Sequence, residues 1–213
     1  VGLPLTVAFS KKFDVRGFDI NKKRIRNIKI NKDIFEIEKK DIKKMKSLKV
    51  SHDISFLKEC NIFILTVPTP LLKNNNPDLN MLINATKKVS EIIKPNDLII
   101  FESTVFPGTT EEICIPILER NSRLKLYNKN LKTNKIFYCG YSPERINPTD
   151  RTHTVYNTNK IVSGNDVRVT KFIKNLYQKI IKAEVFAAKS IKVAEASKMI
   201  ENIQRDLNIA LIN

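Results

Sequence analysis

The sequence predicts an α/β protein: a Rossmann-like, doubly wound parallel sheet that lacks its first strand and is followed by the start of a long central helix. Three observations predict it. Short apolar runs of strand length alternate with longer amphipathic segments along most of the 213 residues, the pattern of parallel strands joined by helical crossovers. The apolar runs are continuous rather than alternating, as in strands buried on both faces. Several of them end in loops rich in proline and threonine, on the carboxyl side, where open α/β sheets bind ligands.

The elements follow in order. Pro4 to Phe13 has helical period, opens on Val1-Gly2-Leu3, and has no strand before it. Val15–Ile20 is a strand ending at Asp19 and Asn21, and Asn21 to about Ile30 is a helix. Asn61–Val67 is a fully apolar strand stopped by Pro68 and Pro70. Leu71–Asn76 is a polar, solvent-exposed loop. Asp78 to Lys94 is a helix that brings Leu79, Leu82, Ile83, Val89 and Ile92 near one side. Asp97–Ser103 is a strand. Thr109 to Arg120 is a helix with Thr109 as its cap and Glu111 and Glu112 in its first turn. Lys135–Tyr141 and Lys160–Ser163 are strands, with Asp166 to Lys182 a helix after them. From Ser190 the pattern is one uninterrupted helix without Gly or Pro. Residues 1–187 are therefore expected to form one α/β domain and 188–213 the start of a separate helical one, and both ends of the chain read as cut.

Composition narrows the function classes. Hydrophobic residues at 42% and charged residues at 28% give an ordinary globular balance. No apolar run reaches the roughly 18–20 residues of a membrane span, and Lys11 and Lys12 follow the first apolar stretch with no cleavage site behind them, so a cytoplasmic protein without a signal peptide is expected. Cys60, Cys114 and Cys139 are odd in number and far apart, with neither His52 nor His153 beside them, so each reads as a small buried residue and no metal site is expected. The net charge of +16 raises a nucleic-acid partner. Its lysines are scattered, however, and the dense stretch Lys22–Lys49 also carries Asp33, Glu36, Glu38 and Asp41, so drift in composition is the expectation and no nucleic-acid partner.

Candidate site residues cluster after the strands. Of a G-x-G-x-x-G fingerprint Gly2 can supply the last glycine alone, and it reads equally as an ordinary glycine before a helix. Asp19 stands at a strand end, about 20 residues beyond where the first such glycine would fall, the place of a carboxylate that accepts from ribose hydroxyls and repels a 2′-phosphate; it reads equally as a helix cap. Arg24 lies one turn into the next helix. Val67-Pro68-Thr69-Pro70, Glu102-Ser103-Thr104-Val105-Phe106-Pro107-Gly108 and Ser142-Pro143-Glu144-Arg145-Ile146-Asn147-Pro148 follow three strands. On the long helix Lys198 and Asn202 are four apart and share a face, a pair that stabilises a developing oxyanion or is simply solvated.

Together the strings VGLPL, GFDINKKRI, VPTP, ESTVFPGTTEE, GYSPERINPTDRTH and KVAEASKMIENIQRDLNIALIN resemble the UDP-glucose/GDP-mannose dehydrogenase family, and within it the bacterial branch that acts on UDP-N-acetylglucosamine or UDP-N-acetylgalactosamine, as in Vi-type surface polysaccharide synthesis. They run over almost the whole chain in family order. The resemblance implies oxidation of a sugar C6 alcohol to a carboxylate with two NAD, through an aldehyde and a cysteine thioester. It implies that Gly2, Asp19, Arg24, Thr69 and Thr104 bind NAD, that Thr104 also helps place a water, and that Glu144 is the base for thioester hydrolysis. Arg145 and Ile146 become substrate contacts, and Lys198 the acid/base or oxyanion partner with Asn202 beside it. A UDP-N-acetylhexosamine substrate and a homodimer formed through the long helix are implied too. The sequence departs from the family pattern in two places: the first strand with its glycines is absent, and the nucleophilic cysteine of a Gly-Gly-x-Cys loop is expected beyond Asn213. UDP-N-acetylmannosamine or UDP-glucose oxidation, and an inactive nucleotide-binding remnant, are the alternatives.

Overall fold

The computed structural model describes residues 2–32, 45, 47–144 and 154–212. Its strands are β1 (Arg16–Phe18), β2 (Lys49–Ser51), β3 (Ile62–Leu65), β4 (Leu98–Phe101), β5 (Lys125–Leu126), β6 (Ile136–Tyr141), β7 (Lys160–Gly164) and β8 (Val185–Ala187). Its α-helices are α1 (Gly2–Ser10), α2 (Lys22–Lys29), α3 (Asn80–Ser90), α4 (Ile115–Ser122), α5 (Val167–Gln178) and α6 (Ile191–Ile212).

The sheet is doubly wound because its strands are apolar on both sides. In β4, Ile99 and Phe101 face a core built with Leu82 and Val89 of α3, Ile115 and Leu118 of α4, and Ile191 and Ala194 of α6. The intervening Leu98 and Ile100 face Leu5, Ala8 and Phe9 of α1 and Val169, Ile173, Leu176 and Tyr177 of α5. Alternation between the two cores is the period-two geometry of a strand, and burial on both sides explains the unbroken apolar runs.

The strands fall into two groups, β1 paired with β2 and the series β3-β4-β6-β7-β8, with β5 also on β6. Among the described residues, β1 pairs only with β2 and β3 only with β4, so an edge of each remains unpaired on the side where a Rossmann sheet carries its first strand. Helix α1 spans the division. Leu3 and Val7 pack with Ile25, Ile28 and Val50 of the smaller group, while Leu5, Ala8 and Phe9 pack on the larger.

The sheet is parallel as expected except at one strand. β7 runs antiparallel to β6, with Gly140 opposite Gly164 and Tyr141 opposite Ser163. It begins at the carboxyl edge where β6 ends. The outer edge of β6 is shared, β5 taking its first residues and β7 its last. Strands β2, β5 and β8 were not predicted: each has two or three residues and at most one of them is buried, too little for a hydrophobic pattern to register.

Gly140 marks the tightest point of the fold. A Cβ there would lie 2.2 Å from Ile173 Cδ1 and 2.8 Å from the Ser163 carbonyl oxygen. Gly140→Ala is therefore expected to destabilise the protein by about 1–3 kcal/mol through overpacking, read as a lower denaturant midpoint with an unchanged slope; an unchanged midpoint would refute this packing account.

Candidate functional site

The candidate residues follow the carboxyl ends of β1, in the smaller strand group, and of β3, β4 and β6, in the larger. After β1, the Asp19 N–H donates to the Ser51 carbonyl at 3.2 Å and prolongs the pairing with β2. Asp19 Oδ1 then accepts from the Asn21 N–H at 2.8 Å. Asn21, not Asp19, caps α2, its side chain accepting from the Arg24 N–H. Asp19 is left at the strand end with the Arg24 guanidinium 3.7 Å away, both side chains partly exposed. Gly2, at the start of α1, approaches the end of β3 so closely that a Cβ would meet Thr66 Oγ1 at 2.5 Å.

The loops after β3 and β4 are bound to one another. Thr69 Oγ1 donates to the Thr104 carbonyl at 2.5 Å, Ser103 Oγ donates to the Val67 carbonyl at 2.6 Å, and the Tyr141 hydroxyl reaches from β6 to the Ser103 carbonyl at 2.9 Å. Thr104 is exposed on this edge and Thr69 half-buried. The structure thus brings Thr69 and Thr104 together, and Asp19 and Arg24 together. These groups suit a dinucleotide: a carboxylate for ribose hydroxyls, a helix start at Gly2 without acids in its first turn for pyrophosphate charge, and neutral hydroxyls farther along the edge.

The helix after Gly108 is capped differently from the expectation. Gly108, at φ 97°, is the N-cap, a left-handed conformation that glycine adopts without strain, and Thr109 Oγ1 turns back to the Phe106 carbonyl. Glu195 of α6 is the acceptor instead, taking the Gly108 N–H at 2.6 Å and the Thr110 N–H at 2.9 Å. Burial pushes the Glu195 carboxyl above its ordinary range, and these bonds pull against it. An internal carboxylate therefore fills the anion position of this helix start, which excludes it as a ligand phosphate site. Residues Thr109–Cys114 form a π-helical turn before α4; Pro116 has no N–H to give the Glu112 carbonyl in α register.

Three residues beyond Glu195 stands Lys198, its side chain 14% exposed and its ammonium 4.0 Å from Glu201. Asn202 is half-buried one turn on. At the end of β6, Glu144 is half-buried beside a charged cluster that the sequence analysis did not single out. Glu102 Oε1 lies 2.9 Å from Lys160 Nζ, the Tyr177 hydroxyl donates to the same carboxylate, and Lys160 also donates to the Pro143 carbonyl at 3.4 Å. Burial pushes the Glu102 carboxyl up, Lys160 opposes this, and Glu144 adds to it. A signal was present: Glu102 closes the apolar run Leu98–Phe101 and Lys160 opens the run Lys160–Gly164, two opposite charges on buried strands that require partners.

Arg145 and Ile146 lie outside the described residues. Cys114 and Cys139 are fully buried, and burial raises the Cys114 thiol to about 12 and the Cys139 thiol well above its usual value; Cys60 precedes β3 at the opposite edge. None is placed or activated as a nucleophile here. No group of three potential metal ligands occurs among the described residues. Two surface hollows, about 590 Å³ against the basic face of α2 and about 340 Å³ beside Asn61, Tyr127 and Phe172, contain none of the sequence-predicted site residues.

The profile described as UDP-glucose/GDP-mannose dehydrogenase family, NAD binding domain, matches residues 1–181. The UDP-N-acetyl-D-glucosamine 6-dehydrogenases of Salmonella typhi and Pseudomonas aeruginosa are 48% and 46% identical, over 100% of this chain and 49% of each relative. A structure of the UDP-D-ManNAc dehydrogenase from Pyrococcus horikoshii superposes with a TM-score of 0.88 at 33% identity, over 99% of this chain and 50% of that one. GDP-mannose dehydrogenase from Pseudomonas aeruginosa, at 20% identity and a TM-score of 0.86, shares the fold. The chain spans about half the length of the curated relatives it matches.

Replacing Glu195 by Ala leaves two buried N–H groups unpaired, so E195A is expected to lose about 2–4 kcal/mol of stability, measured by chemical denaturation. A loss no larger than that of an exposed-surface control such as Glu91→Ala would show that the carboxylate is not the helix's real acceptor.

Proposed function

Because the chain belongs to the UDP-glucose/GDP-mannose dehydrogenase family and carries its NAD-binding domain, we propose that it is the cofactor-binding half of an NAD-dependent UDP-N-acetylhexosamine 6-dehydrogenase, which oxidises the C6 alcohol to the uronate for surface polysaccharide synthesis. Residues 1–187 are the cofactor-binding unit, and 188–213 begin the central helical domain. The observation that carries the reading is the placing of Asp19 beside Arg24, Thr69 against Thr104, and Glu144 each just beyond the carboxyl end of a strand, in a chain 48% identical from end to end to a UDP-N-acetyl-D-glucosamine 6-dehydrogenase.

What bound NAD supplies is hydride acceptance, once at the alcohol and once at the aldehyde level. In this reading Asp19 and Arg24 hold the adenosine ribose, the start of α1 at Gly2 faces the pyrophosphate, and Thr69 and Thr104 line the remainder. Lys198 takes the proton of the C6 hydroxyl as hydride leaves, and with Asn202 it steadies oxygen charge in the later steps. The aldehyde carbon adds a cysteine thiolate; loss of the second hydride gives the thioester. Glu144 then takes a proton from water, assisted in placement by Thr104, as water adds to the thioester carbonyl and the C–S bond breaks to give carboxylate and thiol. Arg145 and Ile146 contact the sugar nucleotide. The thiol is none of Cys60, Cys114 and Cys139, and comes from a part of the enzyme outside these residues.

The exposed Met199, Ile203, Leu207 and Leu211 of α6 recur every four residues and support a homodimer through this helix. No helix among the described residues is long and apolar enough to cross a membrane, and a cytoplasmic location goes with a nucleotide-sugar substrate.

Two measurements on the full-length enzyme test the proposal. NADH formation is expected with UDP-N-acetylglucosamine or its C4 epimer and to be at least about tenfold weaker in kcat/KM with UDP-N-acetylmannosamine or UDP-glucose; the reverse order moves the substrate to the UDP-N-acetylmannosamine branch, which has a relative at 33% identity, and no NADH with any of them leaves a nucleotide-binding remnant. Lys198→Ala is expected to lower kcat by about 10²-fold or more with NAD affinity nearly intact. Equal loss of both would remove Lys198 from the chemistry.

A further inference from the structure

The Glu102–Lys160 pair lies under the carboxyl edge and has no part in the steps above. Lys160 is 7% exposed and Glu102 1%. Moving such a pair from water costs several kcal/mol per ion, and an apolar pair of similar size would serve stability as well or better. Among the described residues Glu102 Oε2 is buried with no hydrogen-bond partner, so within them the pair is not fully satisfied. Its geometry points elsewhere. The chain leaving β6 is held at each residue: the Ser142 N–H donates to the Phe101 carbonyl at 2.9 Å, Ser142 Oγ donates to the Ile161 carbonyl at 2.8 Å, and Lys160 Nζ donates to the Pro143 carbonyl. The last grip before Glu144 is thus the ammonium. That ammonium is itself fixed by Glu102 at 2.9 Å and by the Tyr177 ring, 5.2 Å below it.

We infer that Lys160, clamped by Glu102 and Tyr177, is a positioning residue that sets the Pro143 carbonyl and thereby the place of Glu144. The inference rests on Glu144 acting as base in thioester hydrolysis. A group misplaced by about 1 Å loses rate in the step it serves and not in earlier ones, so the defect is confined to hydrolysis.

The test uses the full-length enzyme, stopped-flow NADH formation, and mass spectrometry of the acid-quenched protein. Lys160→Met is expected to keep the first-turnover NADH burst within about threefold of wild type, to slow steady-state turnover by about tenfold or more, and to accumulate acyl-enzyme, with KM for NAD nearly unchanged. Lys160→Arg, which retains charge and donors, is expected to recover most of the turnover. Should Lys160→Met not fold, Glu102→Gln, which frees the ammonium without changing shape, is expected to show the same hydrolysis-selective defect. Burst and steady state falling together, or neither changing, would overturn the assignment. Glu144→Gln separates the two layers: slow hydrolysis in Glu144→Gln beside wild-type hydrolysis in Lys160→Met rejects Lys160 alone, whereas wild-type hydrolysis in Glu144→Gln rejects the base itself and this inference with it.

Discussion

The first N–H groups of any helix have no acceptor within it, and for the helix that follows Gly108 the acceptor comes from far along the chain. Glu195 takes both the Gly108 and Thr110 N–H groups. The bond fixes α6 against the loop after β4, and with it the distance along the edge between Thr104 and the helix that carries Lys198 and Asn202. It is a demanding arrangement. A buried carboxylate is tolerated because two N–H groups and the positive end of the helix dipole replace its water. Exchanging it for a neutral side chain removes the reason for the two elements to dock in one register.

The rest of the edge follows the same rule, that chain leaving a buried strand must find polar partners at once. Ser103, Tyr141, Thr69 and Ser142 each satisfy a carbonyl on a neighbouring segment. The loops after β3, β4 and β6 are thereby held in place relative to one another. Asp19 follows the rule too, giving its N–H to the Ser51 carbonyl and accepting from the Asn21 N–H, while its side chain and that of Arg24 stay partly exposed.

Much of this was legible in the sequence, for identifiable reasons. The larger strands registered because unbroken apolar runs such as Leu98–Phe101 and Ile136–Tyr141 leave no alternative to burial on both faces. The loops after β3 and β6 registered because Pro68 and Pro143 stop the runs before them. What escaped detection depends on long-range partners. Thr109 looks like a cap locally, yet the capping group is in Glu195, 85 residues beyond the Thr110 whose N–H it takes. The direction of β7 is set by where the chain re-enters the sheet and not by its composition. The Glu102–Lys160 pair joins the residue after β4 to the first residue of β7, and only the fold reveals that they meet. Asp19 reads equally as cap and as ligand in the sequence, and the fold gives the capping position to Asn21.

The central claim is that this edge is a dinucleotide site running from Asp19 to Thr104. A crystal structure of the full-length protein with bound NADH tests it most directly. The account predicts adenosine ribose hydroxyls on the Asp19 carboxylate and the nicotinamide end against Thr69 and Thr104. A dinucleotide seated away from this edge, for example on the basic face of α2 around Lys23 and Arg26 with Asp19 uninvolved, would contradict it.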